Sequence, residues 1–166
     1  MKISEINIYP VKSLKGIALQ EVVVEDRGLR FDRRWMLVDR DGMFFTQREF
    51  PLMATIVTAV GDSGLRVSKG GAELRIPLEP DDGERLMATV WDSQVSAVAY
   101  NGEVSDWFSN AIGTNCKLVM MPVDAKREVN AEYAIRTGED IVSFADAYPF
   151  LLIGEASLAD LNSRLE

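Results

Sequence analysis

Along the first two thirds of the chain, apolar and polar positions alternate in short bursts, with the two-residue period of half-buried strands. Residues 1–11 set Ile3, Ile6 and Ile8 against Lys2, Glu5 and Asn7 with one slip of phase, predicting a first strand; 18–24 predicts a second. The runs 35–39 and 43–46 flank Arg40-Asp41-Gly42, and Asp-Gly between apolar runs predicts a hairpin. Two further runs, 55–60 and 65–68, flank a Gly-Asp-Ser-Gly turn, and 72–76 ends against Pro77. The polar stretch 79–85, EPDDGER, has loop chemistry. Strands are predicted again at 86–91 and 94–100, separated by Asp92-Ser93. So many short strands at this spacing favour a barrel or sandwich.

Beyond residue 102 the period changes. Val104, Trp107, Phe108 and Ile112 recur at helical spacing, and Gly113 suits a helix stop, so a helix is predicted over 103–112. Residues 116–121 read as a buried strand. The stretch 124–140, which contains Arg127 and Arg136, is polar and irregular. PFLLI at 149–153 predicts a strand, and Leu158, Leu161 and Leu165 predict a helix from about Ala156 to the end. The fold class is therefore mainly β with a few helices (α+β). Trp35, Trp91, Trp107 and the methionines are assigned to the core.

Composition narrows the chemistry. The chain has 166 residues, 47% apolar and 27% charged, which is ordinary for a folded domain. It has no histidine and one cysteine. Histidine-based catalytic triads, histidine-bearing metal sites, internal disulfides and Cys-rich clusters are all excluded. A net charge of −8 makes nucleic acid and anionic membranes poor partners. No signal-peptide run and no stretch of ~20 apolar residues is present, so a cytoplasmic location is expected.

That net charge hides an asymmetry. Residues 1–48 carry nine Lys/Arg and seven Asp/Glu, whereas 49–166 carry nine and nineteen. The early basic residues Lys12, Lys15, Arg27, Arg30, Arg33, Arg34, Arg40 and Arg48 are either the makings of an anion site or solvated loop charges. Cys116, opening an apolar run, is expected to be buried and unreactive.

Six blocks together carry a resemblance: IYPVKSLKG at 8–16, GLRFDRRWMLVD at 28–39, FFTQREFPLMATI at 44–56, DWFSNAIGTNCKLV at 106–119, SFADAYPFLLI at 143–153 and EASLADLNSRL at 155–165. In this order they closely resemble the MOSC family, whose members include bacterial MOSC oxidoreductases, the mitochondrial amidoxime-reducing component and the C-terminal part of molybdenum-cofactor sulfurase. The resemblance implies a β-barrel-like N-terminal domain over 1–115 and the start of an incomplete MOSC β-barrel segment over 116–166. It also implies a C-terminally truncated chain, because the family's later segment, with its metal-binding cysteine, is absent.

The functional expectations follow from that resemblance. The parent protein would bind molybdenum cofactor (molybdopterin) and reduce N-hydroxylated compounds. Electrons would come from a flavin or iron–sulfur protein or domain. The fragment itself would be inactive, bind no metal and hold no catalytic residue. The alternatives are a sulfur carrier in metal–sulfur assembly and a non-catalytic interaction module. Carried over by position, the cofactor-binding residues are Lys12, Ser13 and Arg33, joined by Asp146 and Tyr148 from the loop before PFLLI. An ammonium, a hydroxyl and a guanidinium suit a phosphate-bearing ligand. Without the resemblance, Lys12 reads as an exposed lysine at a strand end. Strand alternation would separate Arg33 from Arg34, and Asp32 is either the guanidinium's orienting partner or a surface charge.

Overall fold

Trp35, Met36, Leu37 and Val38 are all 2% exposed or less, so the strand they form is covered on both faces. The computed structural model describes residues 2–165. Its strands are β1 (Ile6–Ile8), β2 (Ile17–Leu19), β3 (Val24–Glu25), β4 (Gly28–Leu29), β5 (Trp35–Val38), β6 (Val57–Gly61), β7 (Gly64–Lys69), β8 (Ala72–Ile76), β9 (Arg85–Val90), β10 (Ser93–Ala99) and β11 (Lys117–Met120). Helix α1 (Gly102–Ile112) and helix α2 (Glu155–Asn162) complete the described elements, with a 3₁₀ turn at Pro51–Thr55. The mainly-β expectation holds.

The central sheet runs β5-β11-β10-β9, antiparallel throughout. Alternation along β5 and β11 feeds two cores. Trp35, Leu37, Leu118 and Met120 face one, shared with α1 through Phe108 and Ile112 and with the β6-β7-β8 sheet through Leu65, Val67 and Ile76. Met36, Val38, Val119 and Met121 face the other, with Ala88, Val90, Val95, Ala97, Ala99, Phe44 and Phe144. Small alanines on β9 and β10 let the sheet curl tightly around the two phenylalanine rings.

The predicted strand at 43–46 is shorter than expected, and the reason is architectural. Phe44 bridges Val38 of β5, and Met43 bridges Thr89 of β9. Backbone bonds from Phe44 N–H to the Thr89 carbonyl (3.2 Å) and from Thr89 N–H to the Gly42 carbonyl (2.8 Å) fix the contact. Residues 42–44 therefore join the two edges of the central sheet at Val38 and Thr89 and make it barrel-like. A side chain at Gly42 would put its Cβ 2.4 Å from the Met87 carbonyl oxygen, and its φ is +81°. Only glycine fits there.

Other expectations shift by small amounts. Of the run predicted over 1–11, the described residues 2–11 contribute only β1, followed by a parallel bridge from Val11 to Trp35. The run 18–24 divides between β2 and β3. Val90 pairs with Ser93, so the two-residue turn is Trp91-Asp92 and not Asp92-Ser93. Helix α1 ends on Gly113 in the left-handed region (φ +79°), as predicted.

PFLLI is a correction. Residues 150–153 pair with no strand among the described residues, and Leu151 and Leu152 are 79% and 76% exposed. A strand exists only against a neighbour that takes up its backbone bonds. Helix α2 starts where predicted but stops at Asn162, short of Leu165, and the apolar positions are open, Leu158, Leu161 and Leu165 being 45%, 54% and 66% exposed.

Two outcomes follow. Gly42→Ala should cost at least about 2 kcal/mol, because it combines a forbidden φ with a clash against backbone; urea unfolding with an unchanged midpoint would contradict the closure. The apolar run from Phe150 to Leu165 should drive self-association, seen as a mass that rises with concentration in sedimentation velocity. A clean monomer across a hundredfold range would count against it.

Candidate functional site

Beside the barrel's closing segment, three stretches converge. Lys12 donates its backbone N–H to Trp35 (2.8 Å), while Trp35 donates to Pro10 (3.1 Å). Arg33 donates to the Tyr9 carbonyl (2.8 Å) and accepts from Phe144 (3.0 Å). Residues 9–13, 31–35 and 143–146 are thus laced together by main chain before any side chain is considered.

Lys12 is 6% exposed, so the exposed-lysine alternative is excluded. Its ammonium donates to Asp146 Oδ1 at 2.5 Å and lies 5.4 Å from the centre of the Phe44 ring. Burial pushes the Lys12 pKa below its usual value, against the upward pull of Asp146; the charges of Arg127 and Arg33 push it the same way as burial. Burial raises the Asp146 carboxyl, but the bonds from Lys12 and Trp91 outweigh it and hold its pKa below the ordinary carboxylate value.

Asp32 resolves in favour of the orienting role. It is 3% exposed; its Oδ1 accepts from the Tyr9 N–H (2.7 Å) and its Oδ2 from Arg33 Nη1 (2.5 Å). The Arg33 guanidinium also lies over the Tyr9 ring, 4.9 Å from its centre. Gly16 makes room for that ring, since a Cβ there would sit 2.8 Å from Tyr9 Cε1. It serves close approach and not a left-handed turn. Arg34 goes elsewhere, donating to the Met121 carbonyl (3.2 Å) and lying 3.8 Å from Glu25. The two arginines do separate, although both precede β5 and Arg33 has a φ of +48° that strand alternation does not describe.

Strain marks the same place. The non-glycine residues with positive φ among those described are Ser13 (+66°), Phe31 (+67°), Arg33 (+48°) and Trp91 (+54°). Each such residue costs on the order of 1–3 kcal/mol, and such conformations cluster where ligands are held. The Ser13 hydroxyl makes no hydrogen bond among the described residues, and its carbonyl accepts from Gln47 (2.9 Å).

Two participants were not anticipated. Trp91, expected in the core, is 43% exposed at the β9–β10 turn. Its indole donates to Asp146 Oδ1 (2.9 Å), the Phe44 ring lies edge-on to it at 4.9 Å, and the Arg48 guanidinium is 5.8 Å from its ring centre. Met43 and Met87, at 45% and 53% exposed, also lie outside the core. Arg127, read as part of an irregular polar stretch, is 6% exposed and grips the loop opposite Lys12. It donates to the carbonyls of Ser143 (3.0 Å), Ala145 (2.5 Å) and Asp146 (3.0 Å), while its Nε is buried without a partner. Only its sequence distance from Lys12 hid it; an arginine in a polar run carries no signal of burial.

Tyr148 is not drawn into this cluster by any contact. It is 46% exposed and packs edge-on against Tyr133 with ring centres 6.0 Å apart. Cys116 is buried, and burial pushes its thiol up to about 11 despite a contact with Ser109 Oγ at 3.8 Å.

The comparisons with known proteins bear on this arrangement. Residues 1–115 match the family model described as the MOSC N-terminal beta barrel domain. The chain belongs to that family. It is 31% identical over 99% of its length to mouse "Mitochondrial amidoxime-reducing component 1", covering 51% of that protein. It is 30% identical over 99% of its length to the Arabidopsis thaliana "Molybdenum cofactor sulfurase", covering 21% of it. Rat "Mitochondrial amidoxime reducing component 2" is also 30% identical, with 52% of its length covered. The chain thus spans about half the length of the mouse and rat relatives. No helix among the described residues is long and apolar enough to cross a membrane. The described residues hold no group of three or more Cys, Asp or Glu placed to bind a metal ion.

The residues that converge here suit an anionic ligand. Lys12 spends one of its three N–H donors. Among the described residues the Ser13 hydroxyl has no partner, Arg33 keeps nitrogens beyond the one given to Asp32, and Arg127 keeps an unpartnered buried Nε. Spare donors around a buried cation are what a phosphate group satisfies.

The state of Cys116 can be checked directly. With its thiol near 11, the thiolate fraction and the alkylation rate should rise about tenfold per pH unit from 7 to 10. Rapid iodoacetamide labelling of the native chain at pH 7 would overturn the buried assignment.

Proposed function

We propose that this chain forms one wall of a molybdenum-cofactor site in a protein that reduces N-hydroxylated compounds. The observation that carries the reading is the buried Lys12 ammonium with Ser13 and Arg33 beside it, in a chain similar along its whole length to amidoxime-reducing components. Lys12, Ser13 and Arg33 would hold the phosphate-bearing end of the cofactor, and the 146–148 loop would line it through its backbone. When bound, the cofactor supplies two-electron redox chemistry at its metal.

The chain's own residues bind, orient and keep water out. Asp32 and the Tyr9 ring fix the Arg33 guanidinium so that little side-chain entropy remains to be lost on binding. Arg127 does the same for the loop backbone. No imidazole is available for proton transfer, and the one thiol is buried with a raised pKa. The chain alone is therefore catalytically silent in this reading, and electrons come from a flavin or iron–sulfur partner.

A sulfur-carrier role is the second reading, favoured by the equally extensive similarity to the Arabidopsis sulfurase. It needs an accessible thiol, which Cys116 does not provide. Persulfide on the intact protein without molybdenum would select it.

Lys12→Ala and Arg33→Ala in the intact protein test the leading reading. A charge-assisted bond to phosphate is worth about 1.5–3 kcal/mol, so each change should lower molybdenum and pterin content at least about tenfold under dilute washing. Unchanged retention in both variants would refute it.

A further inference from the structure

Two buried cations of the site share one stretch of main chain. Arg127 and Lys12 are each 6% exposed. The loop 143–146 is bonded to Arg127 through its carbonyls and carries Asp146, the counterion of Lys12. We propose that Arg127 is the positioning residue of this site: its guanidinium sets the course of loop 143–146, and through that loop it keeps Asp146 on Lys12 and fixes the backbone of Arg33. The coupling belongs to the chain itself; its consequence for a cofactor rests on the reading above.

Arg127 spends its donors on main chain. Nη1 donates to the carbonyls of Ser143 (3.0 Å) and Ala145 (2.5 Å), and Nη2 to that of Asp146 (3.0 Å). A planar fork with fixed donor directions, holding three carbonyls within four residues, leaves that backbone little freedom. The Nε is buried without a partner. Burying a guanidinium against carbonyls alone is costly, and an apolar side chain would serve packing better.

The loop passes this control on to the site. Asp146 Oδ1 receives the Lys12 ammonium (2.5 Å) and the Trp91 indole N–H (2.9 Å). Phe144 N–H donates to the carbonyl of Arg33 (3.0 Å), whose φ is +48°. The Asp146 side chain is 73% exposed. Its place over the ammonium is therefore set by where its main chain runs and not by packing around it.

The charge of Arg127 acts on Lys12 in the opposite sense to the clamp. Burial lowers the Lys12 pKa, Asp146 raises it, and the like charges of Arg127 and Arg33 lower it again. Taking away a mere neighbouring cation would leave Lys12 holding its proton more firmly. Taking away a clamp frees Asp146 and leaves the ammonium buried without its counterion, so that Lys12 gives up its proton more readily. The two roles predict opposite signs at one amine.

The experiment labels the folded 166-residue chain with trace acetic anhydride at pH 8 and reads each lysine by mass spectrometry. Lys117, with its side chain 46% exposed, is the internal reference. Wild-type Lys12 should react at least about tenfold more slowly than Lys117. Arg127→Lys, which keeps the charge and loses the fork, and Arg127→Met should each speed Lys12 labelling at least fivefold. Both should also shift a tryptophan emission component that Trp91→Phe removes. Lys69, bonded to the Ala111 carbonyl at the end of β7, should keep its wild-type rate in both variants. Asp146→Asn should match them at Lys12, and adding Arg127→Lys to it should change that rate less than twofold.

Lys12 labelling that slows in Arg127→Met and is unchanged in Arg127→Lys marks a neighbouring charge and overturns the proposal. A rise at Lys69 equal to that at Lys12 marks general loosening and overturns it too. Should the Arg127 variants not fold, hydrogen exchange of Asp146→Asn decides. Phe144 N–H protected to within threefold of wild type supports a loop held from the Arg127 side; protection lost with the carboxylate overturns the proposal. In the intact protein, Arg127→Lys should lower molybdenum and pterin content at least fivefold, as Lys12→Ala does. Content lost in Lys12→Ala and kept in Arg127→Lys overturns the positioning role and leaves the cofactor reading standing. Content kept in both Lys12→Ala and Arg33→Ala overturns that reading, while the labelling still decides the coupling.

Discussion

Closure of the central sheet at residues 42–44 is the constraint on which the rest depends. The absence of a side chain at Gly42 lets the chain pass against β9, where a Cβ would lie 2.4 Å from the Met87 carbonyl oxygen. Phe44 is thereby delivered into the small core inside the curl, 7% exposed among Met36, Val90 and Phe144. The same ring then supports the chemistry above it. Lys12 lies over Phe44, and Trp91 packs edge-on against it. A packing residue in the barrel is thus also the platform that positions a buried ammonium and the indole beside it.

Placing that ammonium has an energetic cost that the surroundings only partly offset. Desolvating a charge costs several kcal/mol even after relaxation, and one ion pair with a mostly exposed carboxylate does not repay it fully. Ser13, Arg33 and Trp91 add backbone strain nearby. A fold selected for stability alone would put an apolar side chain at position 12 and relaxed residues around it. Unrepaid burial of charge together with local strain is the pattern of a site prepared for a ligand whose binding supplies the missing interactions.

Much of this was legible in the sequence, and the misses have identifiable causes. The β8 boundaries, the α1 span and its Gly113 stop rest on local signals that tertiary contacts did not override. The 43–46 strand was misjudged because alternation reports burial and says nothing of which strands compete for the backbone; residues 42–44 divide theirs between β5 and β9. Trp91 was misplaced because hydrophobicity puts tryptophan in cores, whereas the first residue of a tight β-turn cannot point inward. PFLLI has the composition of a buried strand and lacks a neighbour among the described residues. Lys12 and Arg33 are singled out only by the family pattern. Burial of a lysine 134 positions from its counterion leaves no local trace.

The unit that matches the family model and the unit that makes the site are not the same length of chain. The matched region ends at residue 115, where Lys12, Ser13 and Arg33 are already present. Yet the counterion of Lys12 is Asp146, the clamp on that loop is Arg127, and Phe144 bonds the backbone of Arg33. Strand β11, also beyond 115, lies between β5 and β10 and pairs with both. Taking it away would split the central sheet, uncover one edge of β5 and leave the Lys12 ammonium buried without its partner. The charged site and the barrel wall are therefore completed by the same stretch of chain, 116–146. Any change that loosens that stretch acts on packing and on the Lys12–Asp146 pair together.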